Sequence, residues 1–240
     1  MTDPPTPLSA AVATYADAVA NAVNEVFGRR RRGVWLVGSH AYGGATPLSD
    51  IDIQAAVHEP KPDEVADLAD RIAHPHLRCP GVGIEFVLYD EAILADPIPP
   101  LRWALNLNGG PTRAHSRSTD HRTESWHWFI LDLAIGRQFA RTLTGRDLAD
   151  VLGPIGDDVV VAAIAQSLRW HDAHEAGGPN QVANAARGLR FLRTGRWGSK
   201  PEGLSWAEGE GLAQHTVMAE LARALEARGE RGRGRGRGRG

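Results

Sequence analysis

The chain has 240 residues, 42% of them hydrophobic and 23% charged, ordinary proportions for a globular protein and enough for one large domain or two modest ones. No apolar run approaches the about 18 residues that cross a bilayer, and residues 1–9 are Pro-rich and acidic, unlike a secretory signal, so a soluble cytoplasmic protein is expected. A single cysteine, Cys79, excludes an internal disulfide framework; with no motif around it to support a nucleophile, it reads as structural.

The net charge of −2 hides an asymmetry: residues 228–240 carry six arginines against Glu230, a sum of +5, so the remaining 227 residues carry −7. A body that acidic argues against a long nucleic acid as substrate and for a small molecule. The terminal Arg-Gly repeat has no apolar face to bury and is expected to be disordered; tethering to RNA is its functional alternative.

In chain order, Ser9 is placed to cap a helix running to about Phe27, because Val12, Tyr15, Ala16, Val19, Val23 and Val26 recur at helical spacing. The run Arg29 to Arg32 ends it. Residues 34–37, between Gly33 and Gly38, and the β-rich 51–57 read as strands, 61–73 as a helix and 84–89 as a third strand. Residues 103–107 read as an edge strand before the break at Gly109, Gly110 and Pro111. After a polar loop, Trp126, Phe129, Ile130, Leu133, Ile135 and Phe139 form one helical stripe, and further helices are expected over 159–170, 181–192, 200–207 and 211–227. The predicted class is α+β: an N-terminal α/β domain over 1–112, an all-helical bundle over 120–227 and a disordered tail over 228–240.

The chemistry concentrates in Gly38-Ser39, a linker of ten residues, and Asp50-Ile51-Asp52-Ile53. Residues two apart in a strand share a face, about 7 Å apart at their Cα atoms, so Asp50 and Asp52 present paired carboxylates. Mg²⁺ takes such hard oxygen ligands, with substrate phosphates filling the remaining positions. Gly38 lets a phosphate approach the backbone, and Ser39 adds an amide and a hydroxyl. An Asp-x-Asp pair alone is common on solvated strands. Here Gly43, Gly44 and Ser49 precede it, and Ile51 and Ile53 flank the second aspartate. Glu85 sits between Ile84 and Phe86, where an unpaired acid is costly. It either faces the metals, serves as base for an acceptor hydroxyl, or is a salt-bridged core acid. His171, His174 and Glu175 have helical spacing and read either as three ligands of a transition metal lacking a fourth, or as a polar turn at a domain boundary.

The segment from Gly38 to Asp52, with the later strand acid Glu85, resembles the signature of the polymerase β-like nucleotidyltransferase superfamily, and is most similar to the streptomycin and spectinomycin adenylyltransferases. Trp170, Asn180, Arg187, the run Thr194-Gly-Arg-Trp-Gly-Ser-Lys200 and Trp206-Ala207 resemble that family's C-terminal domain, so the likeness spans the chain to about residue 210. It implies transfer of AMP from ATP to a hydroxyl of a small acceptor, an aminoglycoside or aminocyclitol, with two Mg²⁺ ions. By the same resemblance Gly38, Ser39 and Ser49 hold the triphosphate, Asp50 and Asp52 ligate metal, and Glu85 is the base beside it. Arg187 and Lys200 reach the nucleotide phosphates, Trp170 and Glu175 meet the acceptor, and a helical domain closes over the cleft of a monomeric enzyme that needs neither membrane nor nucleic acid. The alternatives are a nucleotidyltransferase acting on protein or RNA, and a catalytically silent ATP-binding module. The loop His171 to Pro179 has Glu175 as the only acid near its middle, and Asn106 to Gly110 contains no tryptophan. Spectinomycin is therefore expected as acceptor ahead of streptomycin.

Overall fold

Ser9 caps the first helix as expected: its hydroxyl accepts from the Val12 amide at 3.3 Å, and α1 (Ala10–Phe27) buries Val12, Tyr15, Ala16, Val19, Ala20, Val23 and Phe27 along one stripe. The computed structural model to which this helix belongs describes residues 7–236. The arginine run does end α1, but Arg31 and Arg32 already belong to β1 (Arg31–Val37). There follow α2 (Gly38–Tyr42), β2 (Ile51–Val57), α3 (Pro62–Ile72) and β3 (Ile84–Asp90). Next come α4 (Glu91–Ala95), β4 (Leu105–Gly109), β5 (Ser116–Ser118), α5 (Trp126–Phe139), β6 (Arg141–Gly145) and α6 (Leu148–Val151).

The strands make one mixed sheet in the order β5-β4-β3-β2-β1-β6. Only β2 and β3 run parallel, joined by α3 as a crossover helix needs to be; the other neighbours are antiparallel. Alternation along the strands gives the sheet two unlike faces. Val34, Leu36, Ile51, Ile53, Ala55, Val57, Ile84, Phe86, Leu88, Leu105 and Leu107 turn to one side and form the core with α1 and α3. Asp52, Gln54, Glu85, Asn106 and Asn108 fall on the alternate positions. A strand face able to carry that many polar groups is where chemistry can be placed without disturbing the core.

Residues 103–107 do not form an edge, because β5 pairs outside β4. The expected domain boundary at 112 is also displaced: the contacts divide the chain between Gly156 and Asp157. The stripe on α5 is real and buries Phe129, Ile130, Leu133 and Ile135, but it serves the first unit. Its Phe129 ring lies 5.8 Å from Trp103 and its Phe139 ring 5.8 Å from Tyr42. Directly after it, β6 pairs with β1, Gly33 opposite Gly145 and Leu36 opposite Arg141. The Trp35 indole locks the same edge by donating to the Arg146 carbonyl at 2.8 Å.

The second unit is all-helical: α7 (Asp157–His174), α8 (Pro179–Thr194), α9 (Lys200–Gly209) and α10 (Gln214–Gly236). Helix α8 packs against the other three, burying Ala183, Ala185, Ala186, Leu189 and Leu192. Ser199 and Glu202 close a capping box at the start of α9. Helix α10 continues to Gly236, into the segment 228–240 that composition alone led us to expect unfolded. Arginine is a good helix former between the glycines, and each added residue of a running helix gains a hydrogen bond without a new nucleus. Residues 237–240 lie outside the described residues. Among those described, no helix is long and apolar enough to cross a membrane. Cys79 is free and buried, and burial pushes its thiol above the usual range, which suits the structural reading over a nucleophile.

Candidate active site

The polar sheet face brings the three acids together. Asp52 and Glu85 are direct neighbours in the parallel β2–β3 register, and Asp50 stands one residue before β2 begins. Burial raises the Asp52 carboxyl well above its ordinary range, and the charges of Glu85, Asp132 and Asp50 add to this while Arg113 opposes it. Burial raises Glu85 as well; Arg113 opposes, and Asp50 and Glu124 reinforce. A set of acids pressed together in this way favours a bound proton or a cation.

A cation is in fact present. The Arg113 guanidinium, from the loop between β4 and β5, is ion-paired with Asp50 through one nitrogen and with Glu85 through another. Nothing in the local sequence marks it: Arg113 reads as one more cation of a polar loop, and the chain separation from Asp50 conceals the pairing. Asp132 on α5 was missed for the same reason.

Gly38 is required by two separate constraints. Its φ is +65°, and a Cβ there would stand 1.8 Å from Asp52 Oδ2, so the backbone at the end of β1 lies directly against the carboxylate. Gly38→Ala is expected to displace Asp52 from its place beside Glu85, with about 1 kcal/mol of destabilisation from the left-handed backbone alone. Thermal melting checks the second effect, and the chemical-shift change of residues around Asp52 checks the first.

Ser39 is the second residue of α2, next to Gly38, and the linker ends in a closed turn before Asp50. The Ser49 hydroxyl accepts from the Thr46 amide at 2.9 Å, and the Ser49 amide donates to the Thr46 carbonyl at 3.0 Å. His40 hydrogen-bonds to the Ser49 backbone, tying the two ends of the linker together.

The remaining expected site residues lie in the second unit. Arg187 donates to Asn184 Oδ1 at 2.9 Å, and Asn184 meets His171 Nε2 at 3.0 Å. Lys200 Nζ donates to Asn180 Oδ1 at 2.9 Å. Trp170 stacks on His174, with ring centroids 4.4 Å apart at 12°. Glu175 is paired with the buried His171, whose imidazole burial holds below its ordinary pKa despite that partner. The stretch expected as a loop from His171 is helical through His174, because the stacked and paired rings extend α7 by a turn. The three-ligand alternative for His171, His174 and Glu175 gains nothing: among the described residues no group of three His, Cys, Asp or Glu side chains is arranged to hold a metal.

The same holds for Asp50, Asp52 and Glu85 as they stand, with Arg113 between two of them. Their chemistry nonetheless fits Mg²⁺, which needs one or two protein carboxylates and takes its other ligands from phosphate and water. The bridging guanidinium marks where positive charge belongs.

The nucleotidyltransferase domain family matches residues 17–94. The fold resembles that in the crystal structure of spectinomycin adenyltransferase AAD(9) from Enterococcus faecialis with ATP and spectinomycin. The TM-score is 0.62 at 16% sequence identity, covering 88% of this chain and 89% of that one. Among curated proteins nothing matches. The matched residues hold Gly38, Ser39, Asp50, Asp52 and Glu85, the site just described; residues 17–94 are thus a nucleotidyltransferase domain, in a chain whose fold resembles that of a spectinomycin adenyltransferase.

Proposed function

We propose that the protein transfers AMP from ATP to a hydroxyl of a compact, weakly basic acceptor, an aminocyclitol such as spectinomycin. The observation that carries this reading is the side-by-side placement of Asp52 and Glu85 on the polar face, with Asp50 beside them. Asp50 and Asp52, with Glu85 adjoining, would hold Mg²⁺. That ion, when bound, supplies charge neutralisation for the attacking and leaving oxygens of an in-line displacement. Glu85 accepts the acceptor's hydroxyl proton; its raised affinity for a proton, relative to an ordinary carboxylate, suits a base. The acceptor oxygen forms a bond to the α-phosphorus, the bond from that phosphorus to the bridging oxygen breaks, and pyrophosphate leaves. Gly38 allows the phosphates against the backbone, and Ser39 and Ser49 are their polar contacts. Trp170 and Glu175 belong to the acceptor.

The spectinomycin preference rests on Glu175. Streptomycin carries guanidinium groups, and a site that binds them well uses free carboxylates. Here the Glu175 carboxylate is already engaged by His171. Spectinomycin is the ligand in the crystal structure of similar fold, along with ATP. A protein or RNA acceptor has only the Arg-Gly segment in its favour.

With purified protein, Mg²⁺ and each of ATP, GTP, CTP and UTP, pyrophosphate release is expected with ATP and spectinomycin, and at most weakly with streptomycin. Release driven equally by streptomycin would overturn the acceptor assignment, and preference for another nucleotide would overturn AMP as the group transferred.

A further inference from the structure

The loop after β4 is built to deliver one guanidinium. Thr112 fixes it to the start of β3: its amide and hydroxyl both donate to the Val82 carbonyl, at 3.4 and 3.2 Å. A Cβ at Gly83 would stand 2.9 Å from both Cβ and Cδ of Arg113, so the stem of Arg113 lies flat on bare backbone. The guanidinium at its end pairs with Asp50 and Glu85 together, while all three side chains keep between 23% and 38% of their surface exposed. A pair this open to water exchanges partners at little cost. The placement is nevertheless specific, because one cation spans two acids on neighbouring segments of the sheet.

We propose that Arg113 is a tethered counter-cation that competes with divalent metal for Asp50 and Glu85, and that the ion enters the site only as the guanidinium swings out. The inference rests on the assignment of these acids as the metal site. Two positive groups cannot share two carboxylates at contact distance without mutual repulsion, and the Thr112 anchor keeps the displaced arginine close to the site. In the free enzyme Arg113 therefore holds the acids apart from one another's charge and keeps the affinity for bare metal low. Metal arriving with the triphosphate gains the extra ligands needed to displace it.

The test is equilibrium Mn²⁺ binding, read by the loss of the free-ion electron paramagnetic resonance signal, on wild type, Arg113→Gln, Arg113→Lys and the double variant Arg113→Gln/Asp50→Asn. Without nucleotide, Arg113→Gln is expected to bind Mn²⁺ about tenfold more tightly than wild type, the equivalent of removing one modest ion-pair competitor. Arg113→Lys restores a cation and should return affinity toward wild type, and the double variant should lose the gain. Melting temperature supplies a second measurement: Arg113→Gln should be the less stable protein without metal and the more strongly stabilised by Mn²⁺. Equal or weaker Mn²⁺ binding by Arg113→Gln overturns the proposal, as does a gain that survives Asp50→Asn. If the gain appears but wild type releases no pyrophosphate with any nucleotide and acceptor, the counter-cation stands and the assigned reaction falls.

Discussion

Asp52→Asn is expected to lower nucleotidyl transfer by about 10² to 10³ while leaving the protein at least as stable as wild type. The loss follows from removing the most enclosed of the three charges that would face the metal, an electrostatic role whose removal in other enzymes costs about 10² to 10³ in rate. The stability follows from the opposite side of the same geometry. The folded protein raises the Asp52 carboxyl above its ordinary range, first by burial and then through the charges of Glu85, Asp132 and Asp50. An acid raised on folding stabilises the fold while protonated, and that contribution is lost as pH rises through its folded pKa. At neutral pH an uncharged amide of the same shape removes like-charge crowding beside Glu85. Pyrophosphate release and thermal melting without divalent metal read the two effects. A variant that turns over like wild type would remove Asp52 from the reaction, and one that melts well below wild type would show that the carboxylate is held by attractions the neighbouring acids do not suggest.

Glu85→Gln should abolish transfer, by about a thousandfold, while ATP still binds. A positioned base contributes about 10² to 10⁴, and it is needed only when the acceptor hydroxyl loses its proton. Glu85 is the least enclosed of the three acids, with 38% of its side chain exposed against 23% for Asp50, which leaves it the one an incoming acceptor can reach. Glutamine takes one carboxylate from the metal but also removes one of the two partners of Arg113, so the competitor weakens with the site and affinity for Mg·ATP should change little. Calorimetry with Mg·ATP and an activity assay separate the two roles. Loss of nucleotide binding in step with activity would make Glu85 a metal ligand first and a base second.

The site was legible in the sequence wherever its logic is local. A strand, a glycine that must take positive φ, and two acids of like parity before an apolar run are all contained within residues 34–53, and Glu85 announces itself as an acid in an apolar strand. Arg113 and Asp132 were not legible, since each acquires meaning from a neighbour dozens of residues away. Arg113 sits in a polar loop and Asp132 on a helix whose stripe drew attention to its other face. The sheet shows the same divide. Strands β2 and β3 carry apolar runs that read as buried, whereas β6, Arg-Thr-Leu-Thr-Gly, is only half-buried and carries little apolar pattern of its own. It is a strand because β1 offers it an edge. The break at Gly109 to Pro111 reads as a boundary, yet the chain returns to the sheet at β6, which keeps α5 with the first unit.

That late strand also sets the order in which the molecule can be completed. Strand β1 leaves the ribosome early, yet its outer edge is closed by residues 141–145, with Gly33 waiting for Gly145. During synthesis the strand that ends at Val37 spends the time of about a hundred further residues with unpaired amides and carbonyls along one side, the kind of edge that recruits other chains. Closing so long a loop is slow in its own right, because its entropy is spent before the pairing returns anything. The nascent catalytic half thus stays unfinished until translation has passed α5, and it is in that interval, rather than in the finished fold, that the protein is most exposed to misassembly.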